Sequence, residues 1–119
     1  MSLLDQVEFD GFVTGFAGTM LVDQWGSRVA KVGDKVFTLL NDSDGEARIT
    51  VKCAEESFEI LTSLDGIGQA PYFAKRKWVA IGRSAPLSDE ELRIYLRRSY
   101  DLVAAGLTKK RRAELGITG

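Results

Sequence analysis

The stretch RVAKVGDKVFTLL at residues 28–40 decides the fold of this 119-residue chain. Its two halves, residues 28–32 and 35–40, are rich in the β-branched and aromatic side chains that favour strands. Gly33-Asp34 joins them, and a two-residue connection that begins with glycine is a strong signal for a hairpin. Downstream, residues 48–53 alternate polar with apolar side chains, which predicts a further strand with one wet and one buried face. The sequence therefore predicts an antiparallel sheet that extends outward from this hairpin.

A helix is predicted upstream of the hairpin. Apolar side chains recur at i, i+3, i+4 and i+7 from Phe9, which predicts a helix over residues 5–17. Gly11 and Gly15 share one face of this helix, which leaves room for a strand to pack closely, and Gly18 is its expected end. Residues 19–26 fit either a short strand or an extended loop.

The middle of the chain predicts a second helix, a loop and a second hairpin. The helix is expected at about residues 54–63, and residues 65–71 are expected to form the loop. Residues 72–74 and 77–81 can pair as a hairpin with Lys75-Arg76 at its tip.

The last helix has the clearest signals. Ser88 and Glu91 form a capping box at its start, and Gly106 is its expected end. The order α-β(3)-α-β(2)-α, with helices on one side of an antiparallel sheet, defines a two-layer α+β sandwich. The predicted core stripe of the last helix contains Leu92, Tyr95, Leu96, Ser99, Leu102 and Val103.

Composition indicates a single globular domain over residues 1–119, with a short basic segment at about 107–119. No apolar run approaches the roughly 20 residues of a membrane span, so no membrane partner is expected. The N-terminus lacks the features of a signal peptide, and the only cysteine, Cys53, excludes an internal disulfide. These features are typical of a cytoplasmic protein.

Charge is divided unequally along the chain. Residues 1–74 carry 5 Lys/Arg against 12 Asp/Glu, whereas residues 75–119 carry 11 against 5, although the net charge is only −1. A basic surface of this kind attracts polyanions even when the whole protein is near neutral. The candidate nucleic-acid-binding residues are those of the two basic runs: Lys75, Arg76, Lys77 and Trp78, and Lys109, Lys110, Arg111 and Arg112.

Each candidate also has a structural interpretation. Trp78 can stack on a base or sugar, but its strand can equally bury it. The run at 109–112 can contact a DNA backbone, stabilise the negative end of the last helix, or remain solvated. Trp25 can be an exposed recognition residue or can anchor a loop onto the sheet.

No catalytic or metal site is predicted. The chain has no histidine, so Cys53 has no histidine base, and its place in the strand alternation favours burial. The acidic residues Asp42, Asp44 and Glu46 do not have calcium-loop spacing and indicate a plain turn. The Gly66-Ile67-Gly68 segment lacks the strand and helix that flank a phosphate loop. We expect no enzyme activity and no cofactor.

The sequence from Gly26 onward resembles the MmcQ/YjbR family of small bacterial proteins. The resemblance rests on residues 32–37, on residues 49–53 running into an acidic helix, on Lys75 with Trp78, and on Ser99-Tyr100 leading to residues 107–110. It implies the same α-β(3)-α-β(2)-α fold, which is similar in outline to type III secretion chaperones. It also implies DNA binding of a "double wing" type, in which β-hairpins embrace the duplex.

One segment departs from the family pattern. Relatives commonly carry a stretch of the form His-Met-Asn-Lys-x-His-Trp, whereas this chain has Phe-Ala-Lys-Arg-Lys-Trp at residues 73–78. Replacement of both histidines removes a histidine-dependent role and adds positive charge that suits phosphates.

Three functions of different class remain open from the sequence. The first is binding of double-stranded DNA, mainly through phosphates. The second is a non-enzymatic protein-interaction module, in which oppositely charged parts of the chain dock on a partner or on a second copy. The third is a pocket protein that holds a ligand between the sheet and the loops of Trp25 or Tyr72.

Overall fold

The computed structural model describes residues 2–24, 26–41, 46–71, 73 and 76–117. Within these ranges the chain forms four helices and six strands. In chain order they are α1 (Gln6–Val13), β1 (Thr19–Gln24), β2 (Ser27–Val32), β3 (Lys35–Asn41), β4 (Arg48–Lys52), α2 (Glu55–Thr62), β5 (Ile67–Gln69), β6 (Trp78–Gly82), α3 (Asp89–Ala105) and α4 (Lys109–Glu114).

The six strands form one sheet in the order β1-β2-β3-β4-β6-β5, and every neighbouring pair is antiparallel. Helix α3 packs on β2, β3 and β4, while α2 packs on β5 and β6. Helices α1, α2 and α3 all contribute buried side chains to one continuous core, for example Phe9, Leu61 and Leu96. The predicted α+β class is confirmed.

The hairpin predicted from residues 28–40 is present. Gly33 and Asp34 have φ angles of 57° and 67°, so both central residues are left-handed, as a two-residue turn between twisted strands requires. We call the end of the sheet at this turn the turn end. Because the neighbouring strands are antiparallel, β4 ends and β6 begins at the turn end as well.

Two strands differ from the prediction. Residues 19–24, which fitted either a strand or a loop, form the edge strand β1. Residues 67–69 were predicted as loop but form β5, and β5 rather than residues 72–74 pairs with β6. A three-residue strand is too short to show an alternation of polar and apolar side chains, so periodicity did not reveal it.

Helix α1 is shorter than predicted because it ends at Val13. Gly11 is exposed, and a Cβ atom there would meet no described heavy atom within 4 Å, so no strand packs against this face. Gly18 does not end the helix; it has a φ of +76° in the turn before β1, where a Cβ would lie 2.9 Å from the Cβ of Leu115.

Helix α3 begins with the predicted capping box between Ser88 and Glu91 and ends at Gly106. Its core stripe differs at three positions: Leu102 is 39% exposed, and Tyr100 and Ala104 are buried. The Tyr100 hydroxyl donates a hydrogen bond to the carbonyl of Ala17 at 2.6 Å, which satisfies its polar atom and lets the ring enter the core.

Ser99 connects α3 to the sheet. Thr38 and Val51 are the paired residues of β3 and β4 that lie nearest the turn end. Beyond this pair, the Ser99 hydroxyl lies between the two strands. This hydroxyl donates to the carbonyl of Phe37 and accepts from the backbone N–H of Lys52 at 2.7 Å. Ser99 and Phe37 are both completely buried, so the Phe37 carbonyl has no water as an alternative partner.

We therefore expect Ser99→Ala to lower the free energy of unfolding by about 1–3 kcal/mol, because it removes the partner of the Lys52 N–H and leaves the buried Phe37 carbonyl unpaired. Urea unfolding followed by circular dichroism measures the change. Ser63→Ala is the control, since Ser63 is exposed at the end of α2, and it should change stability by less than about 0.5 kcal/mol. Equal effects of the two substitutions would contradict the bridging role.

Candidate nucleic-acid interface

The first basic run is partly engaged within the protein. Lys75 lies outside the described residues. Arg76 forms an ion pair with Glu59, with 2.8 Å between Nη2 and Oε1, and its guanidinium lies 5.7 Å from the centre of the Phe58 ring. The hydrogen bond to Glu59 raises the pKa of Arg76. The positive charge of Arg76 is therefore opposed by a carboxylate at contact distance.

Trp78 and Lys77 differ in exposure. Trp78 begins β6, is only 9% exposed, and its ring centre lies 4.6 Å from that of Phe73. The indole therefore belongs to the core, and its face is not presented to a base. Lys77 is exposed and accepts a hydrogen bond through its carbonyl from the N–H of Cys53 at 2.8 Å, which holds its backbone beside the end of β4.

The second basic run forms the short helix α4 rather than a solvated tail. The hydroxyl of Thr108 caps its start by accepting from the N–H of Arg111 at 3.0 Å. The Arg112 guanidinium donates to the carbonyls of Ala104, Ala105 and Leu107 at 3.0–3.4 Å. Arg112 thus adds a charged donor to carbonyls at and just beyond the end of α3, of which that of Ala104 also accepts from the N–H of Leu107.

Helix α4 docks at the turn end of the sheet. A Cβ atom on Gly33 would lie 2.7 Å from the Leu107 side chain, so the absence of a side chain at Gly33 allows this approach. Arg111 lies 3.7 Å from the carboxylate of Asp34 in the same turn. Lys109 and Lys110 are exposed on this helix.

Lysines concentrate at the turn end. Lys35 opens β3, Lys52 closes β4, and Lys77 directly precedes β6. Adjacent strands are about 4.8 Å apart, so the starts of β3 and β6 lie about 10 Å from each other across β4. None of the lysines forms an ion pair with another residue in the described ranges. We call this set the turn-end lysines: Lys31, Lys35, Lys52, Lys77, Lys109 and Lys110.

Sequence analysis did not identify Lys31, Lys35 or Lys52 as site residues. They are isolated cations in a part of the chain that is acidic overall. Only the pairing of β3, β4 and β6 brings Lys35 and Lys52 beside Lys77. The hairpin signal at residues 28–40 could have placed Lys35 at the turn, but the neighbours of β4 were not predictable.

Most arginines, in contrast, pair with carboxylates. Arg28 lies 3.1 Å from Asp10, and this hydrogen bond is the main cause of its raised pKa. Arg83 lies 3.1 Å from Asp5, and its hydrogen bond lowers the pKa of that carboxyl. Further pairs join Arg93 to Asp89, Arg97 to Asp101 and Arg48 to Glu46.

Carboxylates moderate the field of the turn-end lysines without cancelling it. Asp34 lies in the turn itself but is near Arg111, while Glu55 and Glu56 are exposed in the first turn of α2. The opposite end of the sheet holds Asp23 and Glu46, each close to an arginine. Unpaired positive charge is therefore concentrated at the turn end.

The other sequence candidates are not organised for catalysis. Cys53 is 7% exposed, which confirms its predicted burial, and burial raises the pKa of its thiol. Gly66 has a φ of +78° and packs against Ser84 in a turn before β5, so this segment is not a phosphate loop. Residues 42–45, Trp25 and Tyr72 lie outside the described part of the chain.

Within the described ranges, no group of three or more cysteine, aspartate or glutamate side chains is arranged to hold a metal ion. No helix of the same ranges combines the length and apolar character needed to cross a bilayer.

The six-stranded antiparallel sheet covered by helices defines a small α+β protein, and comparison identifies its family. The model of the YjbR family matches residues 14–102, so the chain belongs to the YjbR family. No curated protein sequence gives a significant match.

Solved structures share the fold. The Deinococcus radiodurans protein DR2400, which has a DUF419 domain, superimposes with a TM-score of 0.85 at 24% identity, covering 95% of this chain and 88% of that one. The Pseudomonas syringae protein PsR293 gives a TM-score of 0.70 for its crystal structure at 19% identity, with 82% and 97% coverage. Its solution NMR structure gives 0.65 at 20% identity, with 82% and 91% coverage. At these identities the likeness concerns the fold alone.

Arg112 should contribute to stability through its hydrogen bonds, and not only to the positive charge of the surface. We expect Arg112→Gln to lower the free energy of unfolding by about 1–2 kcal/mol, because three carbonyls at the end of α3 lose a charged donor. Lys110→Gln removes the same charge from an exposed site on the same helix and should change stability by less than about 0.5 kcal/mol. Thermal or urea unfolding of both variants decides the matter; similar losses would contradict the capping role.

Cys53 should react slowly with an aromatic disulfide reagent at neutral pH. Its burial limits access, and its raised pKa reduces the thiolate fraction at every pH below that pKa. We expect labelling of the native protein to be at least about tenfold slower than labelling in urea. The labelling rate should increase with pH in both states, and the pH at its midpoint should be higher for the native protein than for the unfolded chain. Equally rapid labelling of both states would show that the thiol is accessible.

Proposed function

We propose that this YjbR-family protein binds double-stranded DNA through its phosphates, using the turn-end lysines. One observation carries the proposal: every described lysine lies toward one end of the sheet and is free of ion pairs, while most arginines are paired elsewhere. A cluster of ammonium groups without carboxylate partners favours DNA binding, because each phosphate that an ammonium group neutralises releases counterions condensed on the DNA.

The type of cation supports phosphate contact rather than base recognition. An ammonium group on a flexible stem acts as a point charge, whereas arginine provides the planar fork that pairs with guanine edges. Three arginines that could supply such forks, Arg28, Arg83 and Arg76, are paired with Asp10, Asp5 and Glu59. Neither basic run lies on a long helix that could enter the major groove, since α4 has only 6 residues. We therefore propose binding with little sequence preference.

The proposal divides the sequence candidates by role. Lys77, Lys109 and Lys110 contact phosphates, and Lys75 remains a candidate from the sequence. Arg76 and Arg112 support the scaffold through Glu59 and the end of α3. Trp78 supports the core. The activity is non-enzymatic, and the protein acts in the bacterial cytoplasm, where DNA is available.

The salt dependence of binding tests this proposal with two matched double variants. Lys35→Gln/Lys77→Gln removes two turn-end charges, whereas Arg48→Gln/Arg83→Gln removes two charges at the opposite end of the sheet. Each phosphate contact contributes about 0.9 to the slope of log K against log salt concentration. We expect the lysine variant to flatten the slope by about 1.8 and the arginine variant to leave it nearly unchanged. Fluorescence anisotropy with a labelled duplex measures both.

Two results would contradict the proposal. Equal slopes for the two double variants would show that the turn end is not the binding surface. Absence of binding by the wild-type protein at about 50 mM salt, where phosphate-led affinity is strong, would remove the DNA function. The protein-interaction function would then be the one to pursue. Circular dichroism of each variant establishes that it is folded before binding is compared.

A further inference from the structure

A cleft of about 410 Å³ opens between the start of α2 and the second half of α3. It lies beside the end of β4, so that its lining comes from β4, α2 and α3. The lining includes Lys52, Cys53, Ser57, Tyr95, Arg98 and Leu102.

The interior of the cleft is mainly apolar. Cys53, which is buried, lines the cleft from the end of β4, and Tyr95 and Leu102 line it from α3. Leu102 is 39% exposed, although its position on α3 was predicted to be in the core. A large apolar side chain that faces an open cleft leaves surface that a ligand can cover.

The rim of the cleft is cationic. Lys52 and Arg98 both line it, and the Arg98 guanidinium lies 5.6 Å from the centre of the Tyr95 ring. The one acidic residue of the lining, Asp101, is paired with Arg97 at 3.3 Å. The uncompensated charge in the cleft is therefore positive.

We propose that this cleft binds a small amphipathic anion: an apolar body packs against Tyr95 and Leu102, and a carboxylate, sulfonate or phosphate group meets Lys52 and Arg98. Its volume falls within the range of about 300–1,000 Å³ that is usual for small-molecule sites. A few polar groups around an apolar interior are the usual means of orienting such a ligand. The cleft shares Lys52 with the turn-end lysines, whereas Arg98 belongs to the cleft and not to that set. Substitution of Arg98 therefore tests the cleft separately from DNA binding.

A pair of fluorescent probes tests the proposal on the full chain. The first is 1-anilinonaphthalene-8-sulfonate, and the second is N-phenyl-1-naphthylamine, which has the same aromatic body without the sulfonate. We expect saturable binding of the anionic probe at one site, at least about tenfold tighter than the neutral probe, because only the anion gains charge-assisted hydrogen bonds. Arg98→Gln should weaken the anionic probe by about tenfold and leave the neutral probe unchanged. Arg83→Gln, at the other end of the sheet, should affect neither.

A blocking variant locates the site. Ala105 is exposed and lines the cleft, so Ala105→Trp should fill it and abolish saturable binding. Because this probe also binds partly unfolded chains, near-ultraviolet circular dichroism must match the wild type. If Ala105→Trp fails that check, Ser57→Phe blocks the cleft from the side of α2. Undiminished binding by a folded blocking variant, equal affinity for both probes, or no saturable binding by the wild type would each overturn the proposal.

Discussion

The close contact between the Gly33-Asp34 turn and Leu107 is the constraint on which the candidate interface depends. The turn needs two left-handed residues, which fixes the pairing of Val32 with Lys35 beside it, and the register of β2 with β3 shifts once further on, between Ala30 and Lys31. Glycine at position 33 also leaves the space that Leu107 occupies, since a Cβ there would lie 2.7 Å from that side chain. Thr108, the N-cap of α4, follows Leu107 directly. Gly33 thus contributes both to the hairpin turn and to the position of the second basic run.

The molecule separates structural cations from free ones. Arginines form ion pairs, stack on rings and cap a helix, functions that suit a planar fork of donors. Lysines remain unpaired within the described ranges and gather at the turn end, although the chain as a whole carries a net charge of −1. Positive charge is therefore more strongly separated in the folded protein than along the sequence. Lys35 and Lys52 come from the acidic part of the chain, and only strand pairing brings them beside Lys77.

Features that depend on neighbouring residues were predictable from the sequence. The hairpin, the capping box at Ser88 and the burial of Cys53 each follow from a pattern within a few positions, and the structure confirms them. Features that join distant segments were not predictable. Strand β5 was too short to carry a period, and the ion pair of Arg76 with Glu59 joins residues 17 positions apart. The sequence thus provided the fold class and half of the candidate cations, while the register of the sheet provided the rest.

Chemical shift mapping of the isotopically labelled protein with a short DNA duplex tests the central claim most directly, because it locates the contact surface residue by residue. We expect the amide signals of Asp34, Lys35, Lys77 and Lys109 to shift together and saturate together, and added salt to reverse these changes as counterion release requires. Signals of Asp23 and Arg83, at the opposite end of the sheet, should remain in place. Shifts concentrated at Asp23 and Arg83, or no shifts at low salt, would contradict the assignment of the turn end as a phosphate-binding surface.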